Sequence, residues 1–167
     1  MMQDIDPLDK RILEELQKNC KITVAELARR LGKPRTTVND RIQRLERKGV
    51  IKGYKAIVDP SKLGYKFLAF VMIKARRGIS SEGTSSQERL IRKIINDTNN
   101  DPSMPFIQEA HIITGAYDII LKVWAKKWDE LTNFLIRYLS TMPEVEYTET
   151  FLVLLQVESG ERGFPLR

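Results

Sequence analysis

Residues 23–49 have the sequence TVAELARRLGKPRTTVNDRIQRLERKG, and this stretch decides the fold of the N-terminal part of the chain. Thr23 and Glu26 form a capping-box pattern, in which the hydroxyl and the carboxylate each accept a free amide proton at a helix start. Gly32 is the residue type that ends helices in a left-handed conformation. A second helix is predicted from Arg35 to Lys48, so two short helices are joined by a tight turn.

The second of these helices has two unlike sides. Val38, Ile42 and Leu45 fall on one side at 100° per residue, and we expect them to face the core. Hydrogen-bonding and cationic side chains occupy the opposite side and its flanks. This pattern is typical of a helix-turn-helix, whose second helix reads base edges in the major groove of DNA. The predicted DNA-binding residues are Arg35, Thr36, Thr37, Asn39, Asp40, Gln43, Arg44, Arg47 and Lys52.

The flanking segments complete the predicted N-terminal domain, residues 1–60. Apolar residues recur at helical spacing from Leu8 to Leu16, after Asp6 and Pro7, which suit a helix start. After Gly49, the alternation over Val50–Val58 predicts a short hairpin or wing. A plain three-helix bundle with a basic surface is the alternative interpretation of the same residues.

The net charge of +6 is concentrated in this domain. Residues 1–60 carry 14 basic and 9 acidic side chains, whereas residues 61–167 carry 14 and 13. Residues 29–55 alone carry ten basic side chains against two acidic ones. A local basic field of this kind favours a polyanionic partner such as nucleic acid.

Composition excludes several other classes. One cysteine and one histidine among 167 residues cannot build a disulfide or the usual zinc sites, so no metal is expected. No apolar run approaches the roughly 18 residues that cross a bilayer, and the first residues are acidic, unlike a signal peptide. We therefore expect a cytoplasmic protein without a membrane partner.

Residues 61–167 are predicted to form a second domain after the turn-rich segment at Asp59–Gly64. Two helices and four strands alternate in the order βαββαβ, which predicts a ferredoxin-like α+β fold. The strands are too apolar for both faces of the sheet to meet water, which implies a partner subunit. The predicted strands are 66–75, 106–114, 117–124 and 148–157. Of the two predicted helices, one begins near Ser86 and the other spans 128–142.

The N-terminal pattern resembles the Lrp/AsnC family of prokaryotic transcriptional regulators. The resemblance rests on Leu8-Asp9-x-x-Ile12-Leu13-x-x-Leu16, on Ile22-Thr23-x-x-Glu26-Leu27-Ala28 and on Val38-x-x-Arg41-Ile42-x-x-Leu45-Glu46-x-x-Gly49-Val50-Ile51-x-Gly53-Tyr54. One departure is Pro34-Arg35, where family members usually carry Ser-Pro at the start of the recognition helix. The hydroxyl cap is therefore missing.

The resemblance also implies a ligand-sensing C-terminal domain that pairs into dimers, which assemble into tetramers or octamers. Residues 114–118 look like the family's Gly-x-Tyr/Phe-Asp segment, where turn amides and Asp118 suit the carboxylate and ammonium of a free amino acid. From the residues alone, a tight turn with a surface Asp is the simpler interpretation. The implied effector residues are Thr114, Gly115, Ala116, Tyr117 and Asp118, with Thr148, Glu149 and Thr150 supplied by a neighbouring subunit.

The leading hypothesis is thus a DNA-binding transcriptional regulator that responds to an amino-acid effector and needs no other cofactor. An RNA-binding protein is the alternative, because βαββαβ is also the order of an RNA-recognition motif, although its aromatic signature is absent. An enzyme is not expected, because the sequence lacks paired carboxylates, a nucleophile with a base, and a phosphate loop.

Overall fold

A computed structural model of the protein describes residues 5–76, 85–157 and 164–166. Two separate units are present, one formed by residues 5–57 with 164–166 and one by the described part of residues 58–157. The Gln17 side chain joins Phe164 to the first unit. Its amide oxygen accepts from the Phe164 N–H (2.6 Å), and its amide nitrogen donates to the Phe164 carbonyl (3.2 Å). This differs from the predicted second domain of 61–167.

The first unit contains helices α1 (Pro7–Lys18), α2 (Val24–Leu31) and α3 (Arg35–Arg47). The Thr23 hydroxyl caps α2 by accepting from the Glu26 N–H (3.2 Å), as predicted. The Glu26 carboxylate does not complete the capping box, because it pairs with the guanidinium groups of Arg29 and Arg30. Gly32 ends α2 in the left-handed conformation, with φ of 60°.

The core of this unit lies between the three helices. The apolar side of α3 is buried there, as its spacing predicted. Ala28 leaves room for close packing between helices, and its side chain is also buried. The fully or nearly fully buried side chains are Ile12, Leu27, Ala28, Leu31, Val38, Ile42 and Leu45.

The predicted hairpin at Val50–Val58 is wrong. The amides of Val50 and Ile51 both donate to the Leu45 carbonyl and so close the end of α3. Residues 52–59 form no helix or strand. Tyr54 and Ile57 are exposed, so the segment offers no buried face against which a second strand would be stabilised.

The second unit contains β1 (Phe67–Ala75), α4 (Ser86–Asn100), β2 (Phe106–Ile112), β3 (Ile119–Ala125), α5 (Trp128–Thr132) and β4 (Val145–Leu152). A short 3₁₀ turn, Pro60–Leu63, precedes β1. All strand pairs are antiparallel and the order across the sheet is β2-β3-β1-β4. The predicted ferredoxin-like fold is therefore confirmed.

One face of the sheet is covered by α4 and by the helical segment that begins with α5. Val71 and Ile73 of β1 lie on this face together with Leu121 of β3, and all three are fully buried. Alternate residues of the same strands form the other face, which we call the outer face. The outer face carries Phe70, Met72, Ile120, Lys122, Tyr147, Glu149 and Phe151.

The last helical segment and the last strand depart most from their predicted bounds. The predicted helix over 128–142 starts as α5, continues as a π-helical turn (Asn133–Tyr138) and ends as a 3₁₀ turn (Leu139–Thr141). The last strand was predicted over 148–157 but runs from Val145 to Leu152. Its residues Val145–Leu152 pair with Ala69–Ala75 of β1. Most of the apolar residues after Leu152 therefore have no described strand beside them.

The π-helical turn generates a stability prediction. Phe134 is fully buried in the core of this unit, whereas Ile136 in the same turn is 68% exposed. Phe134→Ala should lower the free energy of unfolding of this unit by about 3–5 kcal/mol, because it removes a large core side chain and leaves a cavity. Urea unfolding followed by circular dichroism measures the change. Ile136→Ala is the matched control and should cost far less; equal losses would contradict the packing described.

Candidate nucleic-acid interface and ligand site

The side of α3 that faces away from the core is accessible. Thr36, Asp40, Gln43 and Arg47 are all exposed and recur at helical spacing, and Arg35 is exposed at the start of the helix. Thr37 and Asn39 flank this row and are half-buried, and Lys52 is exposed beyond the helix end. Except for Arg44, the predicted DNA-binding residues of α3 therefore form one continuous polar surface, which we call the α3 outer surface.

The cations of this region fall into two groups. Arg29 and Arg30 are paired with Glu26, and these pairs hold the pKa of Glu26 at about 2. Arg35, Arg47 and Lys52 form no ion pair within the part of the chain that the structure describes. Unpaired cations keep their full charge for a polyanion, so these three are the better candidates for phosphate contacts.

Arg44 is placed differently from the other predicted DNA-binding residues. Its Nη2 contacts the Asp9 carboxylate of α1 and lies 3.8 Å from an Asp6 oxygen. Asp9 is fully buried, and Arg44 Nε is buried without a hydrogen-bond partner among the described residues. The Arg44 guanidinium thus lies between α1 and α3 instead of on the α3 outer surface.

The start of α3 shows the effect of Pro34-Arg35. Pro34 occupies the N-cap position, and no side chain caps the helix there. Free amide N–H groups at a helix N-terminus can donate to a phosphate, since the helix dipole places partial positive charge there. The missing hydroxyl therefore leaves donors at the end of the helix that is predicted to approach DNA.

The hairpin between β2 and β3 holds the predicted effector segment. Ile112 lies opposite Ile119, and the Ile113 N–H donates to the Asp118 carbonyl (2.9 Å), so the connection is centred on Gly115 and Ala116 as predicted. Gly115 has φ of 122°, which favours glycine. β2 ends earlier than predicted, at Ile112, and β3 begins later than predicted, at Ile119, which leaves a six-residue connection.

Asp118 ties this connection to β1. Its carboxylate accepts from the Ala75 N–H (3.0 Å) and contacts Lys74 Nζ (3.1 Å). Its own N–H donates to the Ile73 carbonyl (3.0 Å). Three bonds to one strand give Asp118 a fixed position and a neutralising partner.

The predicted segments 114–118 and 148–150 meet within one chain. The Tyr117 hydroxyl donates to the Glu149 carboxylate, and the Tyr117 and Tyr147 rings pack edge to face at 5.7 Å. The expectation that residues 148–150 reach the hairpin from a neighbouring subunit is thus unnecessary for Glu149. Thr148 and Thr150 lie opposite Ile73 and Val71, on the helix-covered face, so they point away from this cluster.

Sequence reasoning missed Tyr147 and Lys74. Both lie on the outer face, where they are direct cross-strand partners. Alternation along each strand predicts which residues share a face, but only the register of β1 against β4 brings these two beside the hairpin.

The described residues contain neither a group of metal ligands nor a membrane-spanning helix. No three His, Cys, Asp or Glu side chains in residues 5–76, 85–157 and 164–166 are grouped as a metal ion requires. No helix within those ranges is long and apolar enough to cross a membrane.

The fold and these two sites define a class: a helix-turn-helix regulator with a ligand-binding domain. Comparison with known proteins agrees, since residues 5–52 match the winged helix-turn-helix DNA-binding family and residues 68–162 match the Lrp/AsnC ligand binding domain. The chain belongs to the Lrp/AsnC family of transcriptional regulators, which confirms the resemblance. The comparisons give no support to the RNA-binding alternative.

Individual relatives match over nearly the whole chain. The HTH-type transcriptional regulator FL11 of Pyrococcus furiosus is 37% identical over 90% of this chain and 89% of its own length. The leucine-responsive regulatory protein of Escherichia coli K12 is 32% identical over 96% of this chain and 91% of its own length. The solved structure of Escherichia coli AsnC is 28% identical, with a TM-score of 0.76 over 97% of this chain and 99% of that one.

The Tyr117–Glu149 contact generates a prediction about ionisation. The hydrogen bond to the Glu149 carboxylate raises the pKa of Tyr117 to about 12, because ionising the phenol would break that bond and place two negative charges together. Glu149→Gln should return this pKa toward 10. NMR titration of ring-labelled tyrosine measures it, with the neighbouring Glu146→Gln as control. A Tyr117 pKa that Glu149→Gln leaves unchanged would contradict the contact.

Proposed function

We propose that this protein binds specific double-stranded DNA through the α3 outer surface as a homodimer, and that a free amino acid bound beside the β2–β3 hairpin controls this binding. The proposal concerns binding and assigns the chain no catalysis. Regulation of transcription requires access to the chromosome, so the proposal also implies a cytoplasmic location. The observation that carries it is the row of exposed polar side chains on the side of α3 opposite the buried apolar side.

The α3 outer surface has the chemistry that reads bases. Gln43 and Asn39 carry amides that can bond adenine through two hydrogen bonds, and Arg47 suits either guanine or phosphate. Arg35, at the start of the helix, and Lys52, beyond its end, suit the phosphate backbone. Asp40, Thr36 and Thr37 complete the set of donors and acceptors.

The outer face of the sheet supports a partner subunit. Phe70 lies directly opposite Phe151 on this face, and Phe151 is half exposed. Beyond β4, Leu154 is 93% exposed. An apolar surface of this kind is stabilised by a second copy of the chain, and two copies of α3 in a two-fold dimer fit a DNA site with two half-sites. Further association into tetramers or octamers would add half-sites.

The hairpin cluster supports an amino-acid effector. The backbone N–H groups of residues 114–117 donate no hydrogen bond within the described part of the chain, so they are available to a carboxylate. The charge of the Asp118 carboxylate is already balanced by Lys74. Glu149 is therefore better placed than Asp118 to bind the effector's ammonium group. Thr114, Gly115 and Ala116 are exposed, and an adjoining subunit would close the site over the ligand. The name of the leucine-responsive relative points to the same ligand class.

An effector at a subunit interface controls DNA binding if it binds one assembly more tightly than another. The shift in assembly is then limited by that difference in affinity. Thr148 and Thr150 lie on the helix-covered face of the sheet, so in this proposal they do not contact the effector.

Substitutions on α3 test the DNA proposal. Against a duplex enriched by the wild-type protein from a random library, Gln43→Ala should weaken binding by about tenfold and leave a shuffled duplex nearly unaffected. Arg47→Gln should weaken binding to both duplexes and reduce the slope of log affinity against log salt by about 0.9, because one phosphate contact is lost. Fluorescence anisotropy at several salt concentrations measures both effects.

Arg92→Gln is the matched control, because Arg92 is an exposed arginine on α4 that pairs with Glu88. It should change neither affinity nor salt slope. A duplex with one half-site should bind more weakly than one with two. The proposal fails if Gln43→Ala and Arg47→Gln behave like Arg92→Gln, or if single-stranded RNA binds more tightly than duplex DNA.

A thermal-shift screen of the twenty amino acids tests the effector proposal. A ligand that binds only the native state raises the melting temperature, and at 100 times its dissociation constant it adds about 2.7 kcal/mol. We expect one or a few amino acids to do so. Glu149→Gln should abolish the shift, whereas Glu146→Gln on the same strand should keep it. A screen without any shift, or a shift that survives Glu149→Gln, would refute the site.

A further inference from the structure

Four charged side chains connect α1 to α3 in the first unit. Arg41 of α3 contacts the Asp6 carboxylate and lies 3.3 Å from an Asp9 oxygen, while Arg44 contacts Asp9 and lies 3.8 Å from Asp6. Each aspartate is therefore near both arginines, and two negative charges balance two positive ones. We call this group the α1–α3 charge cluster.

The same two aspartates also begin α1. The Asp6 carboxylate accepts from the Asp9 N–H (2.9 Å), and the Asp9 carboxylate accepts from the Asp6 N–H (3.2 Å). The carboxylates are thus oriented by the backbone of α1 before they meet the arginines. The Asp9 N–H and Arg41 together hold the pKa of Asp6 below its usual value, which keeps it charged.

The geometry of the two helices gives this cluster a directional effect. Arg41 and Arg44 are three residues apart on α3, and Asp9 lies three residues after the N-cap Asp6 of α1, so each pair lies on one side of its helix. The apolar contacts of Val38, Ile42 and Leu45 are non-directional and tolerate small rotations of α3. Charged hydrogen bonds at two points require a defined orientation.

We infer that the α1–α3 charge cluster sets the rotation of α3 about its axis and thereby aims the α3 outer surface at the DNA bases. Asp6, Asp9, Arg41 and Arg44 are positioning residues, and Arg44 contributes to sequence preference through Asp9 and not through a DNA contact. The inference rests on the proposed DNA binding and replaces the sequence-based expectation for Arg44. Burial supports it, because Asp9 is 0% exposed and would keep only the more distant Arg41 as a partner if Arg44 turned toward a phosphate.

Asp6→Asn is the sharpest test variant. Asparagine caps helices about as well as aspartate, so α1 keeps its start while the charge pair with Arg41 is lost. Arg44→Gln removes the arginine charge, and Asp9→Asn combined with Arg44→Gln removes the buried carboxylate charge together with its arginine partner. Circular dichroism melts check that each variant is folded. The probes are the duplex that the wild-type protein enriches from a random library and a shuffled duplex of the same composition.

We expect all three variants to lower the ratio of specific to shuffled affinity by about tenfold, the order of one good base contact. The salt slope of Arg44→Gln should equal that of the wild type, in contrast to Arg47→Gln, because Arg44 neutralises no phosphate. The double variant should recover melting temperature relative to Arg44→Gln, since the buried Asp9 charge is removed together with its closer partner, but should not recover the ratio. A purely structural cluster would change melting temperatures without changing the ratio.

Two results would overturn the inference alone: a wild-type preference that Asp6→Asn and Arg44→Gln both retain, or a salt slope for Arg44→Gln that falls as far as that of Arg47→Gln. A wild-type protein that enriches no duplex would overturn the proposed DNA binding and this inference with it. The wild-type measurement therefore separates the two failures.

Discussion

Burial of one side of α3 is the constraint on which the N-terminal unit depends. Val38, Ile42 and Leu45 enter the core between α1 and α2, and a helix that buries one side must present the other to water. Because these three positions are apolar, the polar residues between them occupy the accessible surface. The same burial that stabilises the unit therefore creates the surface proposed to read DNA.

The second unit is organised by the register of its sheet. Antiparallel pairing of β1 with β3 and β4 places alternate residues on a face covered by helices and on an outer face where Tyr147 and Phe151 are exposed. Asp118 fastens the β2–β3 hairpin to β1, so the turn is held beside Glu149 and Tyr147. One strand thus supports both the assembly surface and the proposed effector site, which is a physical basis for coupling ligand binding to assembly.

Spacing predicted the helices and much of the candidate site. The cap at Thr23 and the glycines at 32 and 49 mark real helix ends, and the order of strands and helices predicted the ferredoxin-like topology. The exposed row on α3 also follows from its period. The hairpin or wing predicted at Val50–Val58 is wrong, because alternation produces a strand only where another strand lies beside it, and spacing alone does not show whether one does. The π-helical turn around Phe134 likewise reflects packing against the sheet and has no local sequence signal.

The chain by itself determined which residues are apolar, where helices start and stop, and therefore which side of α3 is polar, because these properties depend on neighbours within one or two turns. Only the tertiary structure decided that Arg44 faces Asp9 instead of the α3 outer surface, and that Glu149 meets Tyr117 while Thr148 and Thr150 face the helices. Those contacts join residues that are 30 or more positions apart. They depend on helix packing and strand register, which are set by the whole core and not by any local pattern.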